Sequence, residues 1–258
     1  MATRIKREPK DYASALLEHF GLTRVGNIYS FASRIGLKVK EVDSDDWEGA
    51  LLRTPNKLKG IVAVKRSIRE TGRKNFTIAH EIGHFILPGH GTSECFCTAV
   101  DINSWQTHIA QTHELAANQF ASELLLPTRQ INEILQKKSL TLSLIIDLSI
   151  QFDTSLTATA IKCIEITNEP CALVWSVNRK VKWASRSENF SYFVTSDGQL
   201  GDDSIAGRLF QNHVEKHLEG EISIDVWANN SSDKDATIWE DSLYMPNYDA
   251  VLTILTIQ

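Results

Sequence analysis

The chain has 258 residues, 42% of them hydrophobic and 23% charged, with a formal net charge of −5. That balance fits a folded globular protein of one large domain or two to three small ones, and it excludes a disordered chain. The charge is uneven, +2 over residues 1–128 and −7 over residues 129–258, so no basic nucleic-acid-binding face is expected in the second half.

The first ten residues are basic and polar with no apolar run behind them, and no stretch is apolar and long enough to span a bilayer. Four cysteines (Cys95, Cys97, Cys163, Cys171) are sparse for this length. A cytoplasmic protein with reduced thiols is expected, without a membrane partner. The basic clusters at Arg4, Lys6, Arg7 and Lys10, and at Lys65, Arg66, Arg69, Arg73 and Lys74, read as solvated faces.

Along the chain, residues 11–20 have helical spacing and stop at Gly21; Ile28, Phe31, Ala32 and Ile35 repeat the pattern and stop at Gly36. A strand is expected over Leu37 to Val42. Gly49 to Arg53 and Gly60 to Val64 read as a hairpin around Pro55-Asn56. A helix starts near Lys74 or Asn75 and ends before Pro88-Gly89. Residues 89–107, rich in Gly, Ser, Thr and Cys, read as a loop. A second helix runs from about Thr107 to Leu126, ended by Pro127. Three short helices are expected over residues 128–166, with Asp153, Thr154 and Ser155 supplying turn chemistry. After Pro170, Ala172 to Val177 and Val181 to Ala184 read as a hairpin around Asn178-Arg179. Residues 204–218 read as a helix. Glu221 to Ala228 alternates as a half-buried strand, and Ala236 to Met245 and Val251 to Ile257 read as strands.

The helix near residue 75 carries His80-Glu81-Ile82-Gly83-His84, an H-E-x-x-H pattern. Residues i and i+4 share a helix face, so both imidazoles can reach one zinc ion. Glu81 lies beside the metal but off the ligand line, where a general base belongs. The helix is apolar on both sides of the motif (Phe76, Ile78, Ala79; Phe85, Ile86, Leu87), and buried imidazoles and carboxylates need partners. Gly83 costs the helix about 1 kcal/mol against alanine and suggests a close neighbour. The bland alternative is a surface helix with two histidines.

A catalytic zinc needs a third protein ligand and one open position. In Thr112 to Pro127 an apolar stripe runs through Ala117, Phe120, Ala121 and Leu124, and Glu114 sits at its end. A carboxylate there asks for a cation. Glu114 could also be a capping or surface acid, and His113 is the rival ligand. Asn118, one turn on, is placed to hydrogen-bond a ligand from behind.

Phe76 to His84, together with the A-N-x-F-A-x-x-L-L-x-P run from Ala117 to Pro127, resembles the ImmA/IrrE family of metallo-endopeptidases. The family's second segment commonly reads E-x-E-A-N-x-F-A; here Glu114 stands at the first glutamate and Ala116 replaces the second. The third ligand therefore falls to Glu114. The match is strong over about residues 10–128, weaker to 190 and faint beyond. The resemblance implies a zincin-like peptidase domain, a helix-turn-helix-like segment and, in one branch, a sensor-like α/β domain (GAF-like). It also implies specific cleavage of a repressor protein that switches on stress or mobile-element genes.

Cys95 and Cys97 allow three readings: ordinary thiols, a second metal site with His90 and His108, or a thiolate capping the zinc at rest. Trp175, Trp183, Trp227 and Trp239 read as core rather than as a ligand pocket. His213 and His217 repeat the i,i+4 spacing but lack a partner. The helices of 128–166 carry few basic residues for reading DNA.

The expectation is thus an α+β chain: a zinc metallopeptidase domain at 1–128, a helical connector at 129–167, and a C-terminal α/β domain at 168–258 that takes a small-molecule or protein signal. His80, His84 and Glu114 would hold Zn²⁺, with Mn²⁺ as the alternative ion, and Glu81 would be the base. The oxyanion donor is unassigned among His90, His108 and Tyr12. The competing class is a non-catalytic regulator of the same fold that binds a partner protein or DNA.

Overall fold

The computed structural model describes residues 7–54, 58–90, 94–98, 112–194, 199–212, 216–228 and 236–258, and for 94–96 the backbone alone. Pro55, Asn56, His108, His213 and the Cys95 side chain lie outside this set. The chain is α+β and forms two compact units. The first reaches to Gln130 and includes Ser149–Ser155; the second comprises Ile131–Leu148 and Leu156–Gln258. No single helix among the described residues is long and apolar enough to cross a membrane.

In the first unit, helix α1 (Pro9–His19) opens with a capping box between Glu8 and Asp11 and with Pro9 in its first turn. Helix α2 (Ile28–Arg34) is capped by Asn27, whose side chain accepts the Ser30 N–H at 2.9 Å. Strands β1 (Leu37–Val42), β2 (Gly49–Arg53), β3 (Gly60–Lys65) and β4 (Glu94–Cys97) form a sheet in the order β1-β3-β2-β4. β1 runs parallel to β3; the other pairs are antiparallel, including the expected β2–β3 hairpin. β4 corrects the loop expected for residues 89–107. Local composition gives no strand signal there, but pairing with β2 in the register Gly49↔Cys97 to Leu52↔Glu94 imposes one.

Helix α3 (Thr71–Ile86) starts a turn earlier than its apolar periodicity shows, because Gly72, Arg73 and Lys74 occupy the first turn. Arg73 ties it to the sheet through Glu48. Helix α4 (Thr112–Leu125) lies against α3. A Cβ on Gly83 would come within 3.2 Å of the Ala117 backbone and the Phe120 ring. The glycine in the motif therefore admits α4 at close range, and the contact offsets its helix penalty of about 1 kcal/mol. Phe120, Ala121 and Leu124 fill the interface together with Ile78, Ala79 and Ile82, all of them fully buried.

Beyond Pro127 the expected short helices form: α5 (Thr128–Leu135), α6 (Leu142–Gln151) and α7 (Leu156–Ile166). Buried Glu123 caps α5 by accepting the Thr128 N–H at 3.0 Å. Strands β5 (Cys171–Val177) and β6 (Lys180–Arg186) make the expected hairpin, with Asn178 and Arg179 both at positive φ (49° and 60°), as a two-residue type I′ turn requires. Helix α8 (Ile205–Gln211) follows, then β7 (His217–Ser223), β8 (Thr237–Met245) and β9 (Ala250–Thr256). The second sheet is antiparallel throughout, in the order β6-β5-β9-β8-β7, with α8 packed on it.

Two expectations for this region are corrected. The helix expected over 204–218 stops at Gln211, and His217 belongs to β7, paired with Leu243 on β8. The strand expected over Glu221 to Ala228 ends at Ser223, where a 3₁₀ turn over Ile224–Val226 buries Trp227. Fully buried Glu240 explains the turn: it accepts from Trp227 Nε1 at 2.8 Å and from the Ile205 and Ala206 amides at the start of α8.

Truncating Phe120 to alanine removes the ring that seals α3 against α4. A loss of about 3–5 kcal/mol in urea unfolding is expected; a change below 1 kcal/mol would show that this interface is not the centre of the first unit's core.

Candidate metal centre

His80 and His84 lie on successive turns of α3, on the face that meets α4, and both are buried. α4 brings Glu114 to the same point from its first turn. His80 Nε2 is 3.0 Å from His84 Nε2, and Glu114 Oε2 lies 3.1 Å and 3.3 Å from these two nitrogens. Cys97, at the end of β4, adds a sulfur 3.6 Å from His84 Nε2 and 3.8 Å from Glu114 Oε2. All four donor atoms fall within 4.8 Å of one another.

The outer nitrogens define what the inner ones can be. His80 Nδ1 lies 2.8 Å from Asn118 Oδ1, so it donates to the amide oxygen and carries the ring proton. His84 Nδ1 lies 2.8 Å from His90 Nδ1. Burial, reinforced by His84 and His113 nearby, pushes His90 down to about 4, which leaves it neutral and able to accept. His80 Nε2 then presents a lone pair, as does Glu114, and so does His84 Nε2 when its Nδ1 carries the proton toward His90. Three lone pairs facing one another at about 3 Å repel unless a cation lies between them. N and O donors at about 2.0–2.1 Å from a tetrahedral ion would stand about 3.3 Å apart, so the donor set fits a metal.

Glu81 is fully buried, and its carboxylate lies against β2. A Cβ at position 49 would come within 2.5 Å of Glu81 Oε1 and 2.7 Å of the Thr77 methyl. Gly49 is thus the space in which the Glu81 carboxylate sits. Arg53, at the end of β2, donates to the His84 carbonyl and lies over the Phe85 ring, which fixes the C-terminal turn of α3.

A sequence profile of the IrrE N-terminal-like domain matches residues 32–162, half of the chain, and spans every donor just described. The chain belongs to the IrrE N-terminal-like family. No curated protein matches it. A solved Mycobacterium tuberculosis transcriptional regulator has the same fold at 14% identity, with a TM-score of 0.56 over 96% of this chain and 76% of that one. Membership suggests a metallopeptidase, in a family that also includes regulators, and the structure gives this member a cluster of buried His80, His84 and Cys97 with partly buried Glu114.

His80, His84 and Glu114, singled out in the sequence, come together, with Asn118 behind His80 as its position one turn from Glu114 suggests. His113 is exposed and meets the His90 ring at a tilt, with centroids 4.6 Å apart, outside the donor cluster. His90 backs His84, and Tyr12 packs on the core. Cys97 joins the cluster by way of strand pairing. His217 bonds Asp241 at 2.6 Å.

Replacing Asn118 by alanine frees the His80 ring to turn. Metal affinity, measured by chelator competition, should fall about 10–100-fold at unchanged stoichiometry. An unchanged affinity would mean that the amide does not orient the imidazole.

Proposed function

We propose that the chain is a zinc-dependent endopeptidase that cuts one regulatory protein, a helix-turn-helix repressor. The observation that carries this is the convergence of His80, His84 and Glu114, three donors at tetrahedral spacing, where the helix of the two histidines also carries buried Glu81. Family membership supports peptide hydrolysis as the reaction and a regulatory protein as the substrate. Zinc, when bound, supplies Lewis acidity and lowers the pKa of a water toward neutrality.

The chain's own residues do the rest. His80 and His84 are held in the tautomer that offers Nε2, by Asn118 and His90. Glu114 contributes negative charge. Glu81, seated against Gly49, takes a proton from the attacking water and returns it to the leaving amine. β4 is the outer strand of its sheet order, and sheet edges accept extended peptides by backbone pairing. A repressor substrate makes the cytoplasm the expected compartment, and the C-terminal unit is read as the place where a small-molecule or protein signal acts.

One observation favours a second reading. Four protein donors around a metal describe a closed site, which structural zinc centres use. On that reading the chain is a regulator that binds its partner without cutting it.

The deciding experiment incubates the full chain with the repressor encoded beside its gene, with and without chelator, and reads the products by mass spectrometry. Chelator-sensitive cleavage at a defined bond is expected, and an intact repressor throughout would favour the second reading. Glu81→Gln should keep its metal and lose about 10²–10⁴-fold in cleavage rate. Gly49→Ala should also keep its metal but displace the Glu81 carboxylate, at a cost of up to about 100-fold; full activity in either variant would remove Glu81 from the mechanism.

A further inference from the structure

We infer that Cys97 is a fourth protein ligand of the centre and latches it shut. This rests on the reading of His80, His84 and Glu114 as metal ligands. A sulfur at about 2.3 Å and a nitrogen or oxygen at about 2.0 Å from one tetrahedral ion stand about 3.5 Å apart. The Cys97 sulfur lies 3.6 Å from His84 Nε2 and 3.8 Å from Glu114 Oε2, while the nitrogen and oxygen donors are separated by 3.0 to 3.3 Å. With all four donor atoms within 4.8 Å of one another, sulfur is then the group that would fill the vertex a catalytic centre keeps for water.

The backbone sets this position. Cys97 pairs with Gly49 across β2 and β4, and its carbonyl accepts the Glu48 N–H at 2.9 Å. The same strand pair therefore seats Glu81, through Gly49, and aims the thiol. Cys97 is fully buried. Among the described residues β4 pairs only with β2, and α3 and α4 hold the other three donors. Withdrawing β4 removes the sulfur and leaves those three in place. In that step the metal–sulfur bond breaks, water fills the vertex, and the departing thiolate takes a proton from solvent. No oxidant is needed. A closed centre and a hydrolytic one are then two states of one site.

The test uses the full chain loaded with cobalt(II). The expected result is about one bound equivalent and a strong near-ultraviolet sulfur-to-cobalt band, lost in Cys97→Ala while the cobalt stays bound. Added azide should shift the visible spectrum of Cys97→Ala and leave the wild type unchanged. Iodoacetamide should label Cys97 only after chelation, as read by peptide mass spectrometry. A wild-type protein that binds cobalt but lacks the sulfur band, or that takes up azide as readily as Cys97→Ala, would overturn the latch and leave the three-ligand centre standing. Cobalt binding that is absent, or indifferent to His84→Ala, would overturn the metal reading itself and the latch with it.

Discussion

Three lone pairs crowded at about 3 Å inside a folded unit are the constraint on which the first unit depends. Two imidazole nitrogens and a carboxylate oxygen do not gather in a buried place of their own accord, because each repels the others and each loses hydration. The surrounding structure enforces the gathering. Gly83 lets α4 approach α3 closely enough for Glu114 to reach His80 and His84. Asn118 and His90 engage the outer nitrogens, which turns the inner ones toward the cluster. A cation held by this group would relieve that crowding, and its binding would then contribute to stability as well as chemistry.

The readable parts of the site are those set by local periodicity. His80 and His84 share a helix face at i and i+4, and Glu81 follows from the same geometry. Glu114 emerged from its place at the end of an apolar stripe and from the family pattern that Ala116 interrupts. Cys97 could be named but not placed, since its reach to His84 depends on β4 joining β2, a pairing between residues 49 and 97 that no local pattern announces. His90 stayed unassigned for a related reason: it meets His84 by a contact across the turn after Pro88.

The second unit shows the same division. The β5–β6 hairpin was legible because Asn178-Arg179 sits between two β-rich runs, and both residues take the left-handed conformation that such a turn needs. Helical spacing over 204–218 was misleading. Pairing of residues 217–223 with β8 claims the end of that stretch, and Ser204 and Glu240 serve the helix only from its start. The alternation over 221–228 was real only to Ser223, because Glu240 pulls Trp227 into the core. In each case a buried polar group or a distant strand overrides local preference.

Zinc-edge X-ray absorption on the full-length protein tests the central claim most directly. The account expects imidazole scattering from two nitrogens, with a carboxylate oxygen in the same shell, at about 2.0–2.1 Å. A shell without imidazole, or a protein that takes up no zinc when it is supplied, would contradict it.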